Sequence, residues 1–249
     1  MAKLGLQIYS IRDDYAADYK AAIASVKEMG FDGVEFFGAL ESHTPEELRE
    51  ACEVVGLEIC GYHTPYEALS DDRLCSTLDY MRRLGNKYII VPWMPQMDSA
   101  GWQTVIDRFN AIAPTLRAEG FRFGFHLHKF DVAELDNGSF GWKMTGEQTP
   151  DDFIMQCDIG NCFGGGRDGV EVYEMFAQKS ATFHAKPFRA DGDQDLCIGT
   201  DDVDWHRVIA RSKKENCEWV IIEIEKGQSI GSQTISDSAK YLRQIMDAE

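Results

Sequence analysis

Histidine and carboxylate side chains recur near the ends of short apolar runs in the second half of the chain. His126 and His128 end the run FRFGFHLH. Asp158, His184 and Glu223 lie near the ends of the runs FIMQCDIG, ATFHAK and WVIIEIE. Imidazole and carboxylate together suit a borderline or hard divalent ion such as Mn, Co, Zn or Mg, and the imidazoles shift the preference away from pure Mg. The sequence therefore predicts one divalent metal ion, with the strand-five ligand open between the two histidines.

These residues must be brought together by the elements that carry them. Short β-rich runs alternate with stretches of helical period, which is typical of βαβ units and a parallel sheet. The predicted strands cover residues 4–10, 33–37, 57–63, 88–93, 121–128, 153–160, 181–186 and 219–225. The predicted helices cover residues 16–29, 44–56, 71–84, 102–119, 168–178, 204–215 and 231–247. Eight strands within 249 residues predict a single α/β domain over residues 1–249, a (β/α)8 TIM barrel.

One unit of this barrel is irregular. Residues 137 to 152, where the fifth barrel helix belongs, contain Gly138, Gly141, Gly146 and Pro150. This composition predicts that the fifth barrel helix is shortened or irregular, and that the region is a loop with one helical turn. We expect the exposed flank of the barrel to be covered either by the loop itself or by a partner subunit, which would make the protein a homo-oligomer.

Barrel geometry decides between structural and functional roles for the polar residues. A single histidine at a strand end is more often hydrogen-bonded than a ligand, and a single aspartate there often caps a helix. In a barrel, however, the C-terminal ends of the strands face one cavity. Four such residues on consecutive strands favour a metal site, because unpaired buried carboxylates are costly. Glu35 and Glu225 are predicted to support the site from behind, and Trp93 either to fill the core or to stack on a sugar.

The bulk composition excludes several classes of partner. The formal net charge of −17 opposes binding to nucleic acid or to anionic membrane surfaces. Seven cysteines without a C-x-x-C pair signal neither a disulfide framework nor a zinc knuckle. The opening MAKLGLQIYSIRDD has no long apolar run, so the sequence predicts no signal peptide, no membrane span and a cytoplasmic location.

Seven short segments, in order along the chain, resemble the sugar phosphate isomerase/epimerase family with a xylose isomerase-like TIM barrel. The segments are GLQIYSIRDD, GFDGVE, FGFHLHKFD, CDIGN, FHAKPF, IGTDDVDW and WVIIEIE. The histidine pair in FGFHLHKFD resembles a His-x-His branch of that family. In its ketose 3-epimerase branch, the first metal-binding position is a glutamate, and here it is His126.

The resemblance implies a residue-by-residue assignment. It implies metal ligation by the tetrad His126, Asp158, His184 and Glu223, and a small-molecule carbohydrate substrate. Glu223 is the first choice for the catalytic acid or base, with His126 as its partner and either Lys186 or His184 stabilising developing charge. Residues assigned to substrate binding are His63, Trp93, His128, Asp131, Asn161 and Arg189.

The chemistry that fits such a site is proton abstraction next to a carbonyl through an enediolate, with the metal ion as Lewis acid. Proton return to the same carbon gives epimerisation and return to the neighbouring carbon gives isomerisation, whereas loss of a β-oxygen gives elimination. The leading hypothesis is a metal-dependent isomerase or epimerase of a sugar or sugar derivative. The alternatives are a lyase or hydratase acting on keto-sugars or keto-glycosides, and a catalytically silent sugar-binding barrel.

Overall fold

The computed structural model describes residues 2–38, 42–225 and 232–248. Within these residues, eight parallel strands form one sheet in the order β6-β5-β4-β3-β2-β1-β8-β7. The strands are β1 Lys3–Gln7, β2 Gly33–Phe37, β3 Glu58–His63, β4 Tyr88–Val91, β5 Arg122–His126, β6 Ile154–Gln156, β7 Thr182–Ala185 and β8 Trp219–Ile222. The sheet closes between β6 and β7, where Asp158 bridges to His184 and the His184 backbone N–H donates to Cys157 O at 2.8 Å. The predicted TIM barrel is therefore confirmed.

Helices surround this barrel. They are α1 Arg12–Ala17, α2 Tyr19–Glu28, α3 Pro45–Val55, α4 Leu74–Leu84, α5 Ser99–Ala118, α6 Gly141–Gln148, α7 Ile159–Gly164, α8 Gly169–Met175, α9 Trp205–Lys214 and α10 Gln233–Asp247. Local sequence fixes their ends, as α3 shows. Thr44 and Glu47 form a reciprocal capping box at its start, and Gly56 ends it with a left-handed φ of 71°.

The inside of the barrel changes from apolar to polar along each strand. On β8, Trp219 and Ile221 point inward with the apolar cluster at the N-terminal end, and Glu223 continues the same face above them. On β6, Ile154 is followed in the same way by Gln156 and Asp158. Since side chains alternate with a period of two, the polar residues form a layer at the C-terminal end of the barrel.

Some predicted element bounds differ from the structure. β5 ends at His126 and β6 ends at Gln156, earlier than predicted, because the chain after β6 turns at once into α7. The predicted first helix is divided at Asp18, whose carboxylate accepts from the backbone N–H groups of Lys20 and Ala21 and so caps α2. The predicted start of the last helix, residue 231, lies outside the described residues.

The irregular region after β5 is more ordered than its glycines predict. Residues Gly141–Gln148 form an eight-residue helix, longer than a single turn but shorter than the 20-residue α5. Trp142 of this helix is fully buried and packs against Phe125 of β5 with 6.2 Å between ring centroids. The segment itself therefore covers the flank, and a homo-oligomer stays a prediction.

Candidate metal centre

Four side chains from consecutive barrel units meet at the C-terminal end of the barrel. Ligand atoms of His126, Asp158, His184 and Glu223 all lie within 4.8 Å of one another, and all four residues are buried. His126 ends β5 and His184 lies on β7, whereas Asp158 lies two residues after the end of β6 and Glu223 directly follows β8. Two imidazoles and two carboxylates form a donor set that suits a borderline divalent ion. The four are the residues that the sequence predicts as ligands.

Gln156 fixes which nitrogen of His126 can bind a metal. Its carboxamide oxygen lies 3.0 Å from Nδ1 of His126 and 2.9 Å from Nε2 of His63. A carbonyl oxygen only accepts hydrogen bonds, so both imidazole nitrogens must donate to it. Nε2 of His126 is then unprotonated, and it lies 3.9 Å from Oδ2 of Asp158 inside the cluster. This tautomer is the one that a ligand at Nε2 requires.

The carboxamide of Gln156 is itself held in one orientation. Its Nε2 lies 2.9 Å from Oε1 of Glu35 and 2.9 Å from Oγ1 of Thr182. A carboxylate accepts and does not donate, so the NH2 group must face Glu35 and the oxygen must face the two histidines. Gln156 is completely buried, and its hydrogen-bonding groups are satisfied there.

Glu35 is the acid behind the metal-binding group. Its Oε2 accepts from Nε2 of His184 at 2.6 Å and from the side chain of Gln7 at 2.9 Å, and the residue is completely buried. Burial alone would raise the pKa of Glu35, but His63 and His184 outweigh it and lower that pKa. Such a carboxylate orients the imidazole whose other nitrogen faces the metal position. Glu35 thus lies where the sequence predicts a supporting acid.

Room for Glu35 depends on a glycine in the neighbouring strand. A Cβ atom at Gly61 would lie 2.4 Å from Oε1 of Glu35. The register between β2 and β3 shifts between Val34 and Glu35, and this irregularity pairs Glu35 with Gly61. Any larger residue at position 61 would have to displace a buried carboxylate that four other side chains hold.

His184 is bound by carboxylates on both sides. Its Nδ1 lies 2.8 Å from Oε2 of Glu223, opposite the Nε2 contact to Glu35. Burial on its own would lower the pKa of His184, but the charges and hydrogen bonds of Glu35 and Glu223 raise it to about 10. Without a metal ion, His184 is therefore an imidazolium at neutral pH, and Nδ1 must lose its proton before it can act as a ligand.

Lys186 is the cation of the centre. Its ammonium group donates to Glu225 and lies 3.3 Å from Oε1 of Glu223. Burial would raise the pKa of Glu223, but Lys186 and His184 keep it well below its ordinary value. Burial on its own would lower the pKa of Lys186. The neighbouring carboxylates outweigh this effect, and the pKa of Lys186 is raised. Glu223 is accordingly ionised, and its position is set from two sides.

A cavity of about 680 Å³ opens above the centre. Predicted site residues that line it are His63, Trp93, His126, His128, Glu223 and Glu225. Asp158, His184 and Lys186 are completely or almost completely buried beneath its floor, and Glu35 lies among them. The cavity therefore reaches the tetrad through Glu223 and His126.

His128 and Asp131 occupy neighbouring positions after β5. Burial lowers the pKa of His128 to about 4. Nδ1 of its imidazole is buried without a hydrogen-bond partner among the described residues. Oδ2 of Asp131 accepts from the backbone N–H of His128 at 2.7 Å, and burial raises the pKa of Asp131 to about 7. Asp131 lies outside the cavity wall and holds the turn that presents His128.

The two remaining predicted substrate residues also lie outside the cavity wall. Nδ2 of Asn161 donates to Oδ2 of Asp158 at 2.9 Å, so Asn161 orients a predicted ligand. The guanidinium of Arg189 pairs with Asp191 at 3.0 Å and Asp193 at 3.3 Å within its own loop. Their contact with a substrate stays a prediction.

Sequence reasoning missed the neutral residues of this network. Gln7, Gly61, Gln156 and Thr182 do not titrate and bind no metal, so a search for charged clusters passes over them. Their signal is the period of two, since Gln156 precedes Asp158 by two residues and Thr182 precedes His184 by two. A polar residue two positions before a strand-end ligand shares its inward face.

We expect the purified protein to carry about one divalent ion per chain, because one chain supplies all four ligands. The variant Asp158→Asn should lose most of the metal. Asparagine retains an oxygen for the helix cap that Asp158 provides to the Asn161 backbone N–H at 2.8 Å, so the change removes the charge and keeps the cap. Elemental analysis measures the content. Asp168→Asn, at the cap of α8, is the matched control, and undiminished metal in Asp158→Asn would contradict the assignment.

Metal uptake should release protons and should strengthen with pH. The pKa of His184 is raised to about 10, and burial raises the pKa of Asp158 to about 7. Protons therefore compete with a metal ion for both predicted ligands, and metal affinity decreases as the pH falls. The apparent Kd for Mn²⁺ should therefore decrease from pH 6 to pH 8. At pH 8, where Asp158 is mostly ionised, calorimetric titration in two buffers with different ionisation enthalpies should show release of about one proton per ion, the proton of His184. Identical enthalpies in both buffers would disprove the protonated state of His184.

Replacing Gln156 should weaken metal binding without touching a ligand. In Gln156→Met, the His126 and His63 N–H groups and Glu35 lose their shared partner, and the His126 tautomer is released. We expect metal affinity to fall by about 10- to 100-fold, the usual effect of losing a group that orients a ligand. Gln148→Met on the exposed end of α6 is the control. Wild-type affinity in folded Gln156→Met would show that the amide does not fix the ligand.

Comparisons with known proteins give the same fold. The sequence profile described as xylose isomerase-like TIM barrel matches residues 23–245. A sugar phosphate isomerase/epimerase from Parabacteroides distasonis ATCC 8503 superposes with a TM-score of 0.81 at 21% identity, covering 98% of both chains. A structure of L-ribulose 3-epimerase superposes with a TM-score of 0.73 at 13% identity, covering 99% of this chain and 95% of the other.

A curated relative is an inosose dehydratase from Geobacillus kaustophilus (strain HTA426), 23% identical over 208 residues. The match covers 74% of this chain and 66% of the length of that relative. No helix among the described residues is long and apolar enough to cross a lipid bilayer. With the family profile matching most of its length and the barrel closed as the profile requires, the chain belongs to the xylose isomerase-like TIM barrel family.

Proposed function

We propose that this protein is a metal-dependent isomerase or epimerase of a sugar or sugar derivative that removes a proton next to a carbonyl group. The observation that carries the proposal is the buried tetrad at the floor of a cavity, with Glu223 facing that cavity. Family membership and the sugar-processing names of its relatives support an enzyme of this kind. A bound divalent ion would supply Lewis acidity to the carbonyl group and its neighbouring hydroxyl.

Glu223 is the base on one face of the substrate. It lines the cavity, and Lys186 and His184 keep it ionised despite its burial. An ionised carboxylate can accept the proton from the carbon beside the carbonyl, and Lys186 holds one carboxylate oxygen at 3.3 Å while this occurs. Return of that proton to the neighbouring carbon, together with transfer of the hydroxyl proton from one oxygen of the enediolate to the other, completes an isomerisation.

The opposite face needs a different group if the product is an epimer. His126 cannot serve while its Nε2 is a ligand, because Nδ1 is already protonated and donates to Gln156. Glu35 and Asp131 lie outside the cavity wall, whereas His63 lines it. Nε2 of His63 donates to Gln156, so its Nδ1 is the unprotonated nitrogen. We therefore assign the second proton transfer to His63 or to a water molecule.

A lyase or dehydratase acting on keto-sugars is the second candidate. The specific observation in its favour is the curated relative, which is named an inosose dehydratase. Elimination needs one base beside the carbonyl and an acid for the departing oxygen, and it does not need two opposed carboxylates. Glu223 is the glutamate of the tetrad and lines the cavity, so it suits that requirement.

The test is incubation of the metal-loaded protein with keto-sugars and keto-glycosides in D2O. We expect deuterium uptake at the carbon beside the ketone, lost on chelation and reduced at least about 100-fold in Glu223→Gln because the proton acceptor is gone. Nuclear magnetic resonance measures the exchange and identifies the product. Glu147→Gln, an exposed glutamate on α6, is the control.

The products discriminate among the proposals. Rapid C3 epimerisation of free ketoses would contradict the role given to His126, and loss of water would favour the dehydratase. Absence of exchange with every substrate would favour a sugar-binding barrel without catalysis.

A further inference from the structure

The cavity above the metal centre has two chemically different halves. The tetrad comes from β5 to β8 and the segments that follow them. The loops after β1 to β4 supply the opposite wall, and half of the sixteen described lining residues are tyrosine, phenylalanine, tryptophan, methionine or proline. The apolar residues all lie on this opposite wall, which we call the apolar wall. Its aromatic members are Tyr9, Phe37, Tyr66 and Trp93.

The apolar wall presents the exposed ring of Trp93 and an aromatic pair, Tyr9 and Phe37, in which the Arg12 guanidinium lies over the Tyr9 ring at 4.5 Å from its centroid. Trp93 lines the cavity, and 52% of its surface is exposed. Tyr9 and Phe37 pack edge to face with 4.9 Å between ring centroids, which fixes a second aromatic surface. A cavity of about 680 Å³ falls in the range of roughly 300–1,000 Å³ that proteins use for drug-sized ligands. A single sugar ring at the metal centre would leave the apolar wall empty.

The charges around the cavity argue against a phosphorylated substrate. Among the described lining residues there is neither lysine nor arginine, and Glu67, Glu223 and Glu225 contribute carboxylates. The nearby guanidinium of Arg12 is turned to the backbone oxygens of Tyr9 and Glu225. Proteins bind phosphate through arginine, lysine or helix N-termini, and a wall with carboxylates would repel it. The part of the substrate that meets the apolar wall is therefore not an anion.

We propose that the apolar wall binds the aglycone of an uncharged keto-glycoside, a planar apolar ring attached to the sugar that reacts at the metal centre. This inference rests on the proposed function for the reacting end and adds the chemical class of the other end. The aglycone ring stacks on Trp93 and closes off the aromatic surface of Tyr9 and Phe37. A sugar bound by metal chelation at one end is thereby oriented at the other.

Binding to simple glycosides tests the apolar wall directly. The manganese-loaded protein is titrated with the phenyl and methyl β-glycosides of glucose, galactose and xylose, and with glucose 6-phosphate. We expect at least one phenyl glycoside to bind about tenfold more tightly than its methyl counterpart, the size expected for one stacked ring. Equal affinities across the panel, no measurable binding of any phenyl glycoside, or tighter binding of the sugar phosphate would each overturn the proposal.

Two aromatic variants locate the effect. Trp93→Ala should remove most of the tenfold preference for the phenyl glycoside, with affinity for the methyl glycoside and for manganese within about twofold of wild type. Phe130→Ala is the matched control, because Phe130 is also an exposed aromatic residue, 43% exposed, but does not line the cavity. A preference that survives in Trp93→Ala, or that disappears equally in Phe130→Ala, would contradict the assignment.

The exchange experiment in D2O separates failure of this inference from failure of the proposed function. Exchange with free keto-sugars, together with equal binding of phenyl and methyl glycosides, would reject the aglycone site and keep the reaction. Trp93-dependent binding of phenyl glycosides, without exchange on any keto-sugar or keto-glycoside, would keep the aglycone site and reject the reaction.

Discussion

The ion pair between the buried carboxylate of Glu35 and the imidazole of His184 is the interaction on which the centre depends. A fully buried carboxylate is costly unless charge and hydrogen bonds compensate it, and here His184, Gln7 and Gln156 all donate to Glu35. Because Glu35 comes from β2 and His184 from β7, the pair ties opposite sides of the barrel together. The positions of the other site residues follow from it.

The network spreads outward from this pair in two directions. Through Gln156 it determines the tautomers of His63 and His126, which are otherwise free to exchange their protons between two nitrogens. Through His184 it reaches Glu223, which Lys186 holds from the other side. Gln156 and Lys186 thus position two predicted ligands, His126 and Glu223, and are not predicted to bind the metal ion themselves. Polar groups this well satisfied stabilise a unique arrangement, whereas a partly satisfied network would not.

The sequence predicts the eight strands, the barrel and a cluster of histidine and carboxylate residues because these depend on periodicity and on topology, whereas the choice of His126 over His128 comes from the family resemblance. Alternating strands and helices specify the architecture, and the architecture alone brings His126, Asp158, His184 and Glu223 together. The orientation of each side chain depends on contacts far apart in the chain. Asp131 and Asn161 could not be placed relative to the cavity from sequence, because a hydrogen bond to His128 or Asp158 turns them away from it. A search for reactive residue types does not find Gln156 and Gly61, because their roles depend on the folded barrel. Gly61 of β3 makes room for Glu35 of β2, and Gln156 of β6 contacts Glu35 across the barrel.

The separation of the cavity into two halves has a consequence for how such a protein diversifies. The four predicted ligands come from the second half of the chain, and the apolar wall comes from loops of the first half. Exchange of the loops after β2, β3 and β4 would change what is recognised while the reactive end stays intact, because Glu35 and His63, which reach the centre from the first half, lie within β2 and β3 and not in those loops. Any loop graft must therefore retain Glu35 and His63. A chimaera that preserves them can inherit the chemistry of one parent and the ligand preference of the other.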